Sequence, residues 1–272
     1  MLAYPSIDPV LLSLGPLQIR WYGLMYVIGF TAAYLLVMLQ AKRFGWQQML
    51  HQLDNLHLVL ILGVVIGGRL GYTLFYNPAY YLAHPLEIPA IWSGGMSFHG
   101  ACLGALLAGY FFCRRSGLDF WKAADLFIVT VPFGLFFGRL GNFINGELYG
   151  RITQVPWGMA FPEGGPLPRH PSQLYEATFE GLVLFVILWA MKARPWQPAH
   201  ASQWPHGTML ALFLVLYGCL RFAVEFVREP DPQIGLIGSI LSMGQVLCLL
   251  MIGAGVLLWF GRRAASTKKA AL

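Results

Sequence analysis

Seven apolar stretches, near residues 17–39, 56–76, 96–112, 123–144, 174–191, 207–227 and 237–260, leave little room for anything but a membrane fold. About 20 apolar residues in a helix cross the hydrocarbon core of a bilayer. With no water there to meet the backbone, each crossing must satisfy its own peptide groups, and a helix does so within one segment. The content of Asp, Glu, Lys and Arg is 11%, against about 25% in a soluble domain. The expectation is an all-α polytopic protein with about seven transmembrane helices, forming one integral membrane domain over residues 1–272. No basic residues precede the first stretch and further spans follow it, so it reads as a span rather than a cleavable signal.

The basic residues orient this bundle. Lys42, Arg43, Arg114, Arg115, Lys122, Lys192, Arg194, Arg262, Arg263, Lys268 and Lys269 lie in the connections after spans 1, 3 and 5 and in the tail. The opposite loops hold Arg151, Arg169 and Arg228. Positive loops stay in the cytoplasm. The N-terminus is therefore expected outside and the C-terminus inside, which an odd number of spans allows. The net charge of +6 belongs to these loops and implies no nucleic acid. Cys102, Cys113, Cys219 and Cys248 fall in or at the ends of spans without ligand or framework spacing, so neither a metal nor a disulfide is expected. Residues 77–95, with three prolines and several aromatics, read as an outer arm on the membrane surface. Residues 151–172 read as an outer loop and 261–272 as a short basic, unstructured tail.

Every lysine is on the cytoplasmic side, whereas Arg20, Arg69, Arg139, Arg151, Arg169, Arg221 and Arg228 lie in spans or outside. A topology signal needs no such division. A guanidinium offers the forked donors that match phosphate or carboxylate, so the pattern points to an anion-binding chamber opening towards the outer leaflet.

Residues 138–150, GRLGNFINGELYG, mark its centre. One charged side chain near a helix centre costs about 2.5–3.5 kcal/mol on insertion scales, so Arg139, Asn142, Asn145 and Glu147 together call for a polar cavity. Arg139 and Asn142 share a helix face. The tetrapeptide Gly-Arg-Leu-Gly also occurs as Gly68, Arg69, Leu70 and Gly71, where the glycines allow close helix approach and let a guanidinium turn inward. His99 follows a Gly-Gly approach at the start of span 3. Ser172 is positioned as an N-cap for span 5, in which Glu176 and Glu180 share a face. Arg221, Glu225 and Arg228 are spaced to line one face of span 6, which Pro230, Asp231 and Pro232 should stop. Span 7 contains Ser242, Met243, Gly244 and Gln245.

These segments, with Trp21-Tyr22-Gly23-Leu24-Met25-Tyr26 and Arg169-His170-Pro171-Ser172-Gln173, resemble the prolipoprotein diacylglyceryl transferases of bacteria over nearly the whole chain. Ala101 and Glu229 depart from the family's usual glycine and glutamine. The resemblance implies a multi-pass enzyme of the bacterial inner membrane, with its active site facing the outer leaflet. It would move the diacylglyceryl group of phosphatidylglycerol to the lipobox cysteine of a lipoprotein precursor and release glycerol phosphate. It also implies important positions at Tyr22, His99, Arg139, Asn142, Glu147, Gly150, Arg221 and Glu225.

The chemistry fits these residue types. Sulfur displaces a phosphate monoester at an sp3 carbon, which calls for a thiolate and for charge stabilisation on the departing phosphate. A free thiol, with pKa about 8.5, is only slightly ionised at neutral pH, and an imidazole is suited to take its proton. His99 is assigned that role, with Glu147 or Glu225 as alternatives. Arg139 and Arg221 are assigned to the phosphate, Glu225 and Glu147 to orienting them. Tyr22, Asn142, Gly150 and Arg69 complete the expected lipid-binding set. No metal or organic cofactor is needed. A transporter of anions or lipids is the rival class, and it would place charges in both membrane halves.

Overall fold

A computed structural model describes residues 2–5, 7–15, 17–197, 204–229, 236–237 and 241–270, and it is mostly helical. The chain forms two compact units, Met38–Ala123 and Met1–Val37 with Ala124–Leu272. In chain order a hairpin of β1 (Val10–Leu14) and β2 (Leu17–Arg20) leads to α1 (Trp21–Arg43), α2 (Gln47–Phe75), α3 (Pro78–Ala83), α4 (Phe98–Ser116), α5 (Phe120–Ile128) and α6 (Val131–Asn145). Then come α7 (Ser172–Glu176), a π-helical segment (Ala177–Val183), α8 (Leu184–Met191) and α9 (Thr208–Val224). The short pair β3 (Leu236–Ile237) and β4 (Leu241–Ser242) precedes α10 (Met243–Ala270).

The smaller unit is built on close contact of α2 with α4. Gly63, Gly67 and Gly71 recur at every fourth residue of α2, as Gly100, Gly104 and Ala108 do on α4. A Cβ added at Gly67 would lie 2.7 Å from the Cα of Gly104, and one at Gly71 would lie 2.8 Å from the Cα of Gly100. Small residues at this spacing let two backbones meet where lipid supplies no hydrophobic drive. Gln48 Nε2 donates to Gly117 O (3.3 Å) at the end of α4, where Gly117 takes φ +71°.

The arm at residues 77–95 consists of α3 and two 3-10 turns, Pro85–Glu87 and Ile91–Ser93. Leu82 (84%), Leu86 (92%) and Trp92 (84%) are exposed, an apolar surface suited to a bilayer interface. Arg69 holds the arm. Its Nε donates to Ile88 O (2.7 Å), Nη2 to Glu87 O (2.8 Å) and Nη1 to the carbonyls of Gly94 and Gly95, while its guanidinium lies over the Tyr81 ring. The inward turn expected of this arginine is real, but its target is backbone. Arg69 is buried, and the partners of its guanidinium are these carbonyls.

The larger unit packs α6, the helices of residues 172–191, α9 and α10 around Val129, Leu184, Leu188, Met209, Phe213 and Tyr217. Thr130 interrupts α5 and α6, Pro132 sits at the start of α6, and the pair is bent by 40°. Proline suits a first turn, where its missing N–H is not needed. Asp125 on α5 caps α9, accepting from the backbone N–H of Gly207 (2.8 Å), Met209 (2.9 Å) and Leu210 (3.3 Å). Tyr4 donates to the carbonyls of Phe143 (2.6 Å) and Ile144 (3.1 Å) at the end of α6.

Among the described residues, four helices are long and apolar enough to cross a membrane: α1, α2, residues 172–196 and α10. The bent α5–α6 pair makes a fifth. Each of the seven stretches read from the sequence carries helix, but α9 is 17 residues long and α4 ends in Arg114 and Arg115. Three local expectations change. The first helix begins at Trp21 rather than near 17, because residues 17–20 pair with β1 in a hairpin. The tail continues α10 to Ala270 instead of being unstructured. Ser172 is the first residue of α7 rather than its N-cap, and its hydroxyl donates to Leu148 O (2.9 Å). The stop expected at Pro230, Asp231 and Pro232 lies outside the described residues.

Gly104→Leu is expected to cost about 1–3 kcal/mol through overpacking. Thermal unfolding in detergent should show a midpoint lower by several degrees, while Gly253→Ala, at a position with open space around it, should leave the midpoint in place. An unchanged midpoint for Gly104→Leu would contradict the close contact.

Candidate active site

The loop after α6 folds back on its own helix. Gly146 takes φ +69° and Leu148, a non-glycine, φ +58°, a conformation that costs an ordinary residue of order 1 kcal/mol. The reversal lets Glu147 N donate to Asn142 O (3.1 Å). It also brings Glu147 Oε1 to Asn142 Nδ2 (2.8 Å) and Asn145 Nδ2 (3.1 Å). The start of α7 docks on the same turn: Gln173 Nε2 donates to Glu147 O (2.5 Å) and Ser172 Oγ to Leu148 O.

From Asn142 the network runs to the arginines. Arg139 Nη1 donates to Asn142 Oδ1 (3.3 Å), and its Nε pairs with Glu176 Oε2 at 2.6 Å. Glu176 is 1% exposed and holds two further guanidinium groups on Oε1, from Arg221 (3.0 Å) and Arg228 (3.1 Å). Arg221 also reaches Glu180 Oε1 (3.4 Å) and Glu225 Oε2 (2.8 Å). Three arginines thus gather on one buried carboxylate. A buried ion left without its partner costs several kcal/mol, so none of these side chains is optional to the others.

Backbone irregularity supplies the geometry. Glu176 ends α7 and Glu180 lies in the π-helical segment that follows, where Gly181 sits against Phe136 of α6; a Cβ there would be 2.7 Å from the Phe136 Cβ. Single π turns inside helices often mark functional positions. On the other side α9 ends at Val224. Arg228 lies beyond the helix, in a β-bridge with Gly150. Arg221, Glu225 and Arg228 converge as expected, although not from one helix face.

Ser242 and Gln245 form a capping box at the start of α10: Ser242 Oγ accepts from Gln245 N (3.2 Å), and Gln245 Oε1 accepts from Ser242 N (3.0 Å). The Ser242 hydroxyl donates its own proton to Glu225 Oε1 (2.9 Å). Gly244 makes room, since a Cβ there would lie 2.8 Å from the Glu225 carboxyl carbon.

Of the expected residues, Arg139, Asn142, Glu147, Arg221 and Glu225 form one connected network. Tyr22 adjoins it: its ring packs on Gly141, its hydroxyl pairs with Tyr26 (3.1 Å) and it interacts with Asn142 and Glu147. Gly150 follows the network: its N–H donates to His170 O (2.8 Å), and a Cβ would collide with His170 and Val227, so close backbone packing alone requires a glycine here. His99 belongs to the smaller unit, exposed in the first turn of α4 against Phe98. Glu176, Glu180 and Gln173 were not among the expected site residues, and Arg228 was expected only as one of the chamber's arginines. The spacing of two glutamates four apart in an apolar span was the visible signal for Glu176 and Glu180.

The fold is thus that of a multi-pass helical membrane protein, with guanidinium groups held in a buried polar cluster. The family model described as "Prolipoprotein diacylglyceryl transferase" matches residues 9–261. Three relatives bear the name phosphatidylglycerol–prolipoprotein diacylglyceryl transferase. That of Desulfotalea psychrophila is 58% identical, covering 95% of this chain and 94% of its own length. That of Nitratidesulfovibrio vulgaris strain DP4 is 52% identical, covering 96% of each chain. That of Pseudomonas aeruginosa strain LESB58 is 50% identical over the full length of both. The chain belongs to the prolipoprotein diacylglyceryl transferase family.

Glu176→Ala should destabilise the protein by about 3–5 kcal/mol, because it strands buried guanidinium groups. Glu147→Ala, which removes bonds to neutral amides, should cost less. Thermal or denaturant unfolding in detergent ranks the two, and the reverse order would contradict the central place of Glu176.

Proposed function

We propose that this chain transfers the diacylglyceryl group of phosphatidylglycerol to the thiol of a lipobox cysteine in a lipoprotein precursor and releases glycerol phosphate. Family membership and near full-length relatives of that name support the reaction. The observation that carries the assignment of the site is the gathering of Arg139, Arg221 and Arg228 on buried Glu176. In a water-poor site such fixed donors stabilise charge where it develops, with no reorganisation needed at the moment of reaction.

Sulfur attacks the glyceryl carbon, the carbon–oxygen bond to phosphate breaks, and the electron pair leaves with the phosphate. Arg139 and Arg221, with Arg228 beside them, carry that charge. Arg139 Nη2 has no hydrogen bond among the described residues and is available to the lipid. Glu176 and Glu225 hold the arginines in place, and Tyr22, Asn142 and Glu147 meet the lipid's polar groups. His99 takes the thiol proton, a role that rests on imidazole chemistry and on its exposure. Arg69 and Gly150 have structural duties and no part in this scheme.

Adding α4 and α9 to the five longer candidates makes seven spans. The distribution of lysines and arginines then puts the N-terminus outside, the C-terminus in the cytoplasm and the site towards the outer leaflet of the bacterial inner membrane. Both substrates, the lipid and the precursor's apolar signal segment, reach the enzyme within that membrane.

Purified protein in liposomes containing phosphatidylglycerol and a lipobox peptide should produce a lipidated peptide and glycerol phosphate in equal amounts. Arg139→Ala should lower turnover about 10²–10³-fold, the size of effect seen on removing one charge-stabilising donor. His99→Gln with full turnover would remove His99 as base. If neither product forms from folded protein, the transferase reading fails.

A further inference from the structure

Two amide side chains beside Glu147 have no part in the scheme above. Gln173 is fully buried, and its Nε2 donates to Glu147 O. The Nδ2 of Asn145 donates to Glu147 Oε1. Both partners can only accept, so both amides must turn their NH2 groups towards Glu147 and their oxygens away. Those oxygens, Gln173 Oε1 and Asn145 Oδ1, are buried and have no hydrogen-bond partner among the described residues. The second carboxylate oxygen of Glu147, Oε2, has no hydrogen bond there either.

Native structures rarely leave buried acceptors unmet, and each that exists needs an explanation. Acceptors anchored on a carboxylate repel an anionic group and call for a donor. The nearest guanidinium in the network, Arg139, is one residue away through Asn142. A ligand that fits has an anion with hydroxyl groups a few bonds beyond it. The headgroup of phosphatidylglycerol has that form, with a phosphate ester and then two free hydroxyls.

We propose that Gln173 and Asn145, held by Glu147, are specificity-determining residues that accept hydrogen bonds from the headgroup hydroxyls of the donor lipid. This rests on the reading of the chain as a phosphatidylglycerol-dependent transferase. The hydroxyls stay with the leaving glycerol phosphate, so the subsite selects the lipid without touching the bonds that form and break.

The test compares two donor lipids with the same acyl chains, phosphatidylglycerol and phosphatidylpropanol, whose headgroup has no hydroxyl. Wild type should prefer phosphatidylglycerol by about tenfold or more in kcat/KM. Gln173→Met should lose about tenfold on phosphatidylglycerol, the effect of one buried hydrogen bond, and nothing on phosphatidylpropanol. Asn145→Ala, measured in the same way, supplies the second variant should the first not fold. An equal loss on both lipids would make these residues mere supports of the Glu147 turn and would overturn the proposal. No loss on either lipid would overturn it too, leaving the acceptors to buried water. Absence of transfer from phosphatidylglycerol by folded wild type would instead sink the transferase reading, and this inference with it.

Discussion

One carboxylate carries the structure of the site. Glu176 is almost wholly buried and receives three guanidinium groups. None of the four charges could stand alone at membrane depth, where a single ion costs several kcal/mol. Pairing removes that cost and fixes geometry together, because a guanidinium held at one nitrogen presents its remaining N–H groups in a defined direction. The rest of the larger unit brings these charges to one place. Its π-helical segment carries Glu180, its irregular chain beyond α9 carries Arg228, and its capping box at α10 braces Glu225.

Glycine does two kinds of work here. Along α2 and α4 it removes bulk so that two backbones can touch. Around the polar cluster it makes room for one chosen neighbour: Tyr22 at Gly141, the Glu225 carboxylate at Gly244, and His170 with Val227 at Gly150. The two Gly-Arg-Leu-Gly tetrapeptides show how one local pattern serves different ends. The last glycine is a close contact in both, but Arg69 binds carbonyls of the arm at residues 77–95 and Arg139 binds a carboxylate.

Periodicity and charge density were enough to read the helical membrane class, because long apolar runs have few other outcomes. Residues 138–150 announced the site for the same reason, since polar groups inside an apolar run need a destination. What could not be read was partnership. Arg69 and Arg139 occur in the same tetrapeptide, and only tertiary contact separates their roles. The close packing of Gly150 on His170 and Val227 was not legible either, because a glycine that admits a ligand and one that admits another backbone are the same letter. Glu176 and Glu180 were visible as a pair on one face, but the π turn between them has no simple sequence signature. Ser242 and Gln245 stood out as polar residues in span 7, but neither their capping box nor its bond to Glu225 was read.

The central claim is that the arginines gathered by Glu176 hold the phosphate of the donor lipid. Native mass spectrometry of the detergent-purified protein, offered phosphatidylglycerol and phosphatidylethanolamine with the same acyl chains, tests it directly. Wild type should retain phosphatidylglycerol selectively, and Arg139→Leu should lose that retention while remaining folded. Equal retention of phosphatidylglycerol by wild type and Arg139→Leu would show that the phosphate is held elsewhere, and would contradict the account.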